Sequence, residues 1–239
     1  MFAILVAGGN GTRLGNLTKN IPKPMLEVGG KPILQHQTEQ LKKAGISDIV
    51  ISEGYQAKVI QDYFGDGTGF NVNITHSDEG NQQLGTAGGI KKALKAIPDN
   101  ETDVLIMYGD TISDVNIAEL IQTHQNGDNP ITIWLTQQKL PFGFAEVNDG
   151  MVSSFIEKPR VLVNTGISLI KRDIIDSLAE KGDFFGDVIR QYEGRISAYT
   201  SNALWLTINN EYELRIAEET LRELRTNQEG NTMPMQTRR

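Results

Sequence analysis

Apolar residues along this chain fall either in short unbroken runs or at intervals of three and four. Residues 2–7 (FAILVA), 48–52 (DIVIS) and 103–110 (DVLIMYGD) are unbroken runs with little polar alternation, which is how a strand buried on both faces reads. Residues 32–44 read as a helix, with Pro32 in the first turn and Gly45 as a stop, and residues 57–64 as a shorter one ended by Gly65. Ile90, Ala93, Leu94 and Ile97 repeat the helical spacing, as do Ile117, Leu120, Ile121 and His124. Residues 70–75 and 131–136 complete the strands of this half. Strands alternating with helices, with continuous apolar strands, predict a mostly parallel sheet covered on both faces.

The rhythm changes after Pro141. Residues 144–147, 151–156 and 163–170 read as strands joined by short turns such as NDG, an antiparallel excursion from the main sheet. Helical segments follow at 174–179 and 185–192, then strands at 196–199 and 204–208. A terminal helix spans 211–225, with Leu214, Ala217, Leu221 and Leu224 on one face and Glu211–Arg215 and Glu218–Arg222 spaced as ion pairs. The polar remainder reads as a frayed tail. No internal repeat or linker appears, so the expectation is one domain over residues 1–225 and a tail over 226–239. The fold class is α/β, a Rossmann-like three-layer sandwich.

Composition removes several function classes. The 239 residues carry a net charge of −7, with no basic stripe interleaved with aromatics, which argues against nucleic acid as a partner. There is no cysteine, hence no disulfide framework, thiolate chemistry or cysteine-held zinc. No apolar run approaches the roughly 20 residues of a membrane helix, and strand signal from residue 2 leaves no room for a leader, so the expectation is a soluble cytoplasmic protein without a membrane partner.

Candidate chemistry concentrates where the first strand ends. In LVAGGNGTRLGNLTKNIPKPM, the strand closes at Ala7 and runs into Gly8, Gly9, Gly11 and Thr12, with Arg13 inside the loop and Lys23 between two prolines. In an open parallel sheet this turn lies at the ligand edge, and glycines there let backbone N–H groups approach an anion. Arginine supplies a rigid fork of donors, and flanking prolines bias the backbone around Lys23 towards an extended, directed form. Two standard templates fail. Leu14 stands where the dinucleotide fingerprint wants a small residue, and nothing matches the Walker pattern.

The run LVAGGNGTRLGNLTKNIPKPMLEVGGKPIL resembles the signature of the sugar-1-phosphate nucleotidylyltransferases, the NDP-sugar pyrophosphorylases, with GxGTRL, PKP and GKP in order. LGTAGGI, GDTISD, FGFAEV, EKP and NTGI extend the resemblance over most of the chain, and LGTAGGIKKALK leans towards mannose- and heptose-1-phosphate guanylyltransferases. The resemblance implies transfer of a nucleotidyl group from a nucleoside triphosphate to a sugar 1-phosphate. It implies catalytic roles for Arg13, Lys23 and Asp110, with Ala7, Gly8, Gly9, Gly11, Thr12, Gln83, Gly85 and Thr86 around the nucleotide. Thr86 also reads as the N-cap of the following helix. The antiparallel excursion then becomes the sugar side, with Gly143, Glu157, Lys158, Asn164 and Thr165 around the sugar phosphate and Asp187 a further wall residue. Read alone, Glu157 and Lys158 equally suit an exposed pair at a strand end.

Asp110 ends a buried strand, and one well-placed carboxylate suffices to hold Mg²⁺ that arrives on a triphosphate. Asp114 suits either a supporting role there or a helix N-cap. Where the family commonly has a second acid, this chain has Asn209, which offers a carbonyl oxygen without charge; Asn209 is expected near the metal nonetheless. The departure keeps a non-catalytic nucleotide-sugar binding protein open, and a cytidylyltransferase acting on phosphocholine or another non-sugar phosphate fits the same core. His36, His76 and His124 are isolated and read as structural. A homo-oligomer is open, with the excursion and the terminal helix as contact surfaces.

Overall fold

The computed structural model describes residues 1–80 and 82–230. In chain order the strands of the first half are β1 (Phe2–Ala7), the two-residue β2 (Glu27–Val28) and β3 (Lys31–Pro32), β4 (Asp48–Glu53), β5 (Asn73–Asp78), β6 (Asp103–Tyr108) and β7 (Thr111–Ser113). Helices α1 (Ile33–Lys43), α2 (Ala57–Phe64) and α3 (Gly85–Leu94) connect them. Then come α4 (Ile117–Gln125), β8 (Ile131–Lys139), β9 (Phe144–Asn148), β10 (Met151–Ile156), β11 (Arg160–Lys171) and α5 (Arg172–Asp176). The chain continues through β12 (Ile196–Thr200), β13 (Trp205–Thr207) and α6 (Glu211–Gly230).

Seven strands form one sheet in the order β12-β8-β11-β6-β1-β4-β5, and only β11 opposes the common direction. The unbroken apolar runs follow from burial on both faces. Ala3, Leu5, Ile49, Ile51, Leu105 and Met107 point to one side, under α1, α2 and α4. Ile4, Val50, Val104 and Ile106 point to the other, where α3, α5 and Phe184 cover them. The chain steps outward from β1 through β4 to β5, then returns by α3 to β6 on the far side of β1. The strand order therefore reverses between β1 and β6, and loops diverge there at the carboxyl ends.

A third, smaller cluster joins the two ends of the described chain. Leu14, Leu26, Val28, Ile112, Ile208 and Ala217 pack together, with Leu214 and Leu221 of α6 against them. Leu14 is 1% exposed, which explains why the loop after β1 carries a large apolar residue where a dinucleotide fold would carry a small one. It is the anchor of the loop rather than a departure in its ligand face.

Several sequence expectations change. Strand β5 starts at Asn73 instead of residue 70, because Thr68–Phe70 closes a 3₁₀ turn that brings Phe70 within 5.0 Å of the Phe64 ring centroid. Helix α3 stops at Leu94, and Ile97 enters the core from the turn beyond. The segment expected as a helix over 185–192 is one π turn (Phe184–Val188) followed by a 3₁₀ turn (Ile189–Tyr192). Of the three strands expected to leave the main sheet, only β9 and β10 do; β11 inserts between β6 and β8, its apolar Ile167, Leu169 and Ile170 buried. Helix α6 passes residue 225 without a break, so residues 226–230 are helical, and residues 231–239 of the expected tail lie outside the described residues. Neither expected ion pair on α6 closes; Arg215 instead lies over the Tyr212 ring, 5.4 Å from its centroid. Among the described residues no helix is long and apolar enough to cross a membrane.

The three histidines are held by the fold. His124 bonds Thr132 Oγ1 at 2.8 Å and Asp103 at 3.1 Å, and His36 meets the carbonyl of Val28 at 2.7 Å; burial lowers the pKa of both. His76 contacts the fully buried carboxylate of Glu53, which also accepts from Gln61 at 2.9 Å. That hydrogen bond holds the His76 pKa above its ordinary 6.5 despite partial burial.

Two outcomes are expected. Leu14→Ala should cost about 2–4 kcal/mol of unfolding free energy, read from denaturant midpoints; a loss below about 1 kcal/mol would show that the loop does not depend on its anchor. A raised histidine pKa contributes its stability in full below the unfolded value and loses it as pH rises through the folded value. The thermal midpoint should therefore fall as pH climbs above 6.5, and His76→Asn should flatten that slope. NMR titration of the His76 ring with a midpoint at or below 6.5 would refute the assignment.

Candidate active site

Two adjoining clefts open at the carboxyl ends of β1 and β6, the point where strand order reverses. The smaller, of about 240 Å³, is lined by Ala7, Gly9, Gly11, Thr12, Arg13, Lys23, Thr86, Tyr108, Asp110 and Asn209 among others. The larger, of about 490 Å³, is lined by Gly8, Gly9, Tyr55, Glu79, Gln82, Gln83, Gly85 and Thr86 among others. Val6, Gly9 and Thr86 belong to both, so the clefts are continuous. Every residue expected at the nucleotide, the triphosphate or the metal lines one cleft or the other. They come from four parts of the sequence, residues 7–23, residues 83–86, Asp110 and Asn209.

The loop after β1 takes its shape from Gly11. Its φ is +59°, and a Cβ there would sit 2.9 Å from the Lys23 Cβ, so only glycine lets the loop close on that lysine. The Gly11 carbonyl accepts from the Leu14 N–H at 3.0 Å and from the Thr18 hydroxyl at 3.0 Å. Pro22 is extended, as expected of this proline-rich stretch. Lys23, however, opens a 3₁₀ turn (Lys23–Met25) instead of continuing extended, with the Met25 N–H donating to the Pro22 carbonyl at 2.8 Å. The turn buries Pro24 and Met25 and points the lysine inward.

Lys23 Nζ donates to Asp110 Oδ2 at 2.8 Å and to Asn209 Oδ1 at 2.9 Å. Its side chain is 12% exposed, so the ammonium is largely withdrawn from water. Removing one member of such a pair leaves a half-dry charge without its partner. Arg13 reaches the same Asn209 oxygen at 3.4 Å from the exposed side of the loop. Two cations thus converge on one carboxylate and one amide oxygen, on the floor of a cleft walled by backbone.

Asn209 is held by an arrangement that the reading of the sequence overlooked. Its N–H donates to Glu213 Oε2 at 2.7 Å, while the Glu213 N–H donates to Asn210 Oδ1 at 2.9 Å. Asn210 thus caps α6, and its signal, N-x-x-E over residues 210–213, stood in the sequence, while the Glu213 carboxylate reaches one residue past the cap to Asn209. The Asn209 amide nitrogen donates to Thr207 Oγ1 at 2.8 Å, leaving the carbonyl oxygen to face the cations. Glu79 and Tyr108 were also overlooked. Glu79 lines the larger cleft, accepts the Leu84 N–H at 3.1 Å, and has its pKa raised by burial. The Tyr108 hydroxyl is buried without a hydrogen-bond partner in the wall of the smaller cleft, and burial raises its pKa.

Other expected residues serve elsewhere. Thr86 is not the cap of α3: it lies inside the first turn, accepts the Phe184 N–H at 2.8 Å and donates to Asp183 at 3.1 Å. Gly85 takes φ +71° with its Cβ direction blocked by the Gly182 carbonyl, so the start of α3 is clamped to the segment after α5. Asp114 neither caps α4 nor reaches the clefts. It accepts the Leu204 N–H at 2.6 Å, and Asn116 caps α4 instead. Asp187 lines a separate small cavity and accepts the Asp183 N–H at 2.7 Å.

The residues expected around a sugar phosphate line neither cleft. Gly143 lies against the Phe155 ring, and Glu157 and Lys158 are exposed at the base of the β9–β10 hairpin, Lys158 with φ +48°. Asn164 is exposed and accepts the Gly166 N–H at 3.1 Å, whereas Thr165 is buried and donates to the Trp134 carbonyl at 2.8 Å. Both lie at the irregularity in β11 between Asn164 and Ser168, where Gly166 abuts Tyr108.

No group of three or more acidic, histidine or cysteine side chains suited to a metal occurs among the described residues. The donor set of Asp110 and the Asn209 carbonyl, with Lys23 and Arg13 beside it, still fits Mg²⁺ carried in by phosphates, since that ion usually takes one or two carboxylates and keeps its water and phosphate ligands.

Comparison with known proteins places the chain in a family. "Probable mannose-1-phosphate guanylyltransferase 1" of Oryza sativa subsp. japonica is 35% identical over 191 residues, which are 76% of this chain and 53% of that protein. "UTP--glucose-1-phosphate uridylyltransferase" of Synechocystis sp. is 31% identical over 210 residues, 79% of this chain and 54% of that one. The chain thus spans about half the length of the curated relatives it matches. The crystal structure of HddC from Yersinia pseudotuberculosis complexed with GMP-PN superposes with a TM-score of 0.75 at 27% identity, covering 92% of this chain and 99% of that one. The family model described as "Nucleotidyl transferase" matches residues 2–208, and the chain belongs to that family.

Proposed function

We propose that this protein joins a sugar 1-phosphate to a nucleoside triphosphate, giving an NDP-sugar and pyrophosphate. Lys23, gripped by Asp110 and Asn209 beside a glycine-lined cleft of nucleoside size, is the observation that carries this reading. The nucleobase occupies the larger cleft against Gly8, Gln83, Gly85 and Thr86. The triphosphate lies over Gly9, Gly11 and Thr12 in the smaller. Names of relatives and of the HddC complex favour GTP with a mannose- or heptose-type 1-phosphate.

The attacking group is already a phosphate oxygen, so no general base is needed. The barrier lies in bringing two polyanions together and in charge growing on the α-phosphate and on the departing pyrophosphate, which positioned cations stabilise. In this reading Lys23 exchanges its contact with Asp110 for the α-phosphate and the incoming oxygen, and Arg13 holds the leaving end. Asp110 and the Asn209 carbonyl would hold Mg²⁺, which when bound supplies positive charge between the phosphates. Lys158 holds the phosphate of the sugar, reaching it from the hairpin base together with Glu157, Gly143 and Asn164, while Thr165, buried on the Trp134 carbonyl, fixes the strand beside them. The reaction is assigned to a single domain in the cytoplasm.

The amide at position 209 favours a second reading, a protein that binds nucleotide sugars without turning them over. Pyrophosphate release measured with Mg²⁺, the four common triphosphates and a panel of sugar 1-phosphates decides between them, and no release with any combination would sink the enzymatic reading. Phosphocholine in the same panel tests a non-sugar acceptor.

Lys23→Ala should lower kcat by about 10²–10³, and because it strands Asp110 it should lower the thermal midpoint too, so turnover is compared where the variant is still folded; near-normal turnover would remove the role. Asn209→Asp adds the missing carboxylate, so the Mg²⁺ concentration for half-maximal rate should fall by about threefold or more. A rise would show that position 209 does not serve the ion.

A further inference from the structure

Glu53 closes β4 at the ligand edge of the sheet, in register with Ala7 of β1 on one side and Asp78 of β5 on the other. Its side chain is fully buried, and a carboxylate there needs partners to replace water. Gln61 of α2 donates to it at 2.9 Å, and the His76 ring of β5 meets it through Nδ1. The other ring nitrogen, Nε2, meets the carbonyl of Gly65, just past α2, at 2.6 Å. Both nitrogens thus face acceptors. A neutral imidazole donates from one nitrogen only, so the doubly protonated ring alone satisfies both. Glu53 is the one charged group acting on the ring among the described residues; Gln61 and the Gly65 carbonyl, which pack there from α2 and its turn, are uncharged.

The elements that meet at His76 also wall the larger cleft. Directly after Glu53, Gly54 packs on the β1 loop, where a Cβ would sit 2.9 Å from the Gly8 carbonyl oxygen. Tyr55 fastens this wall further, its N–H donating to the Gly8 carbonyl at 3.5 Å and its hydroxyl to the Lys19 carbonyl at 2.7 Å. Three residues after His76, the Glu79 N–H donates to the Glu53 carbonyl at 2.8 Å. Gly54, Tyr55 and Glu79 all line the cleft.

We propose that His76 is a proton-operated latch on the larger cleft: the cationic ring holds the walls in the shape that takes a nucleoside, and loss of its proton loosens them and weakens nucleotide binding. This rests on the nucleoside occupying that cleft, as proposed above. A ring that gives up one proton must release either Glu53 or Gly65, and either release frees a wall. The bond to Glu53 holds the His76 pKa above its ordinary 6.5, so nucleotide affinity is highest below that value and declines as pH rises through the folded one. Linkage is reciprocal, so bound nucleotide strengthens the hold of the ring on its proton.

Calorimetric titration with Mg²⁺ and the tightest-bound of the four common triphosphates should give a Kd that rises about fivefold or more from about pH 6 to about pH 8.5. His76→Asn keeps a neutral donor for Glu53 and meets the same ionisation of the triphosphate, so the wild-type rise is read against that of the variant. NMR titration of the wild-type His76 ring, which needs no variant to fold, should show a midpoint about 0.7 pH unit higher in nucleotide-saturated protein, the same fivefold seen from the proton. Glu53→Gln keeps the shape of the acid without its charge and should abolish that displacement. A wild-type Kd that follows pH no more steeply than that of His76→Asn overturns the latch, as does a ring midpoint indifferent to nucleotide. A displacement that survives Glu53→Gln overturns it too, because the charge of the ligand then accounts for it. If none of the four triphosphates binds at any pH, the place given to the nucleoside is wrong and the latch falls with it; binding that ignores pH sinks the latch alone.

Discussion

Lys23 is the point at which three distant parts of the chain are held together. Its ammonium bonds a carboxylate 87 positions later and an amide 186 positions later, and its Cβ sets the space that makes residue 11 a glycine. Desolvating a cation is costly unless partners replace water, so the lysine ties the β1 loop, the end of β6 and the start of α6 to one geometry. Asp110 and Asn209 meet at that ammonium, and Arg13 reaches the same Asn209 oxygen.

The same contact gives the site its electrostatic character. In an acidic protein a cradle for anions needs local positive charge, yet two free cations side by side would repel. Asp110 balances Lys23; under the proposed function, a ligand bearing both phosphates and a divalent ion would exchange partners with the pair without leaving either charge bare. The backbone does the remainder: Gly9 and Gly11 offer N–H groups at the open edge of a parallel sheet, and the continuous larger cleft extends the site to the size of a nucleoside.

Local signals were easiest to read where burial is two-sided. Strand β1 and the runs under β4 and β6 agree with their sequence because two-sided burial leaves unbroken apolar runs, whereas α2, buried on one face, was fixed by its stop at Gly65 and the exposed β10 by the NDG turn before it. β11 misled, since a turn-rich neighbourhood suggested that it stayed with the hairpin, whereas residues 167–170 are as fully buried as the central strands and sit among them. The loop cations and Asp110 were found from type and spacing. The service of Asp114 to Leu204 and of Thr86 to Phe184 was not, because each depends on a backbone group roughly 90 positions away, which no window along the chain contains. Glu213 was missed for a different reason: its capping signal was local, but its importance appears only once Asn209 is known to face the cations.

The small cluster around Leu14 has a bearing on the order in which the molecule can be made. In a growing chain the glycine loop emerges long before Ile208 and Ala217, which pack on its anchor, and before Asn209, which faces its cations. Until that segment leaves the ribosome, Leu14 has lost much of its cover and Lys23 can satisfy itself only on Asp110. Completion of the cradle therefore waits until residues 208–217 have been made, and a chain stopped where the family match ends, at residue 208, would keep the sheet while lacking the piece that locks the β1 loop.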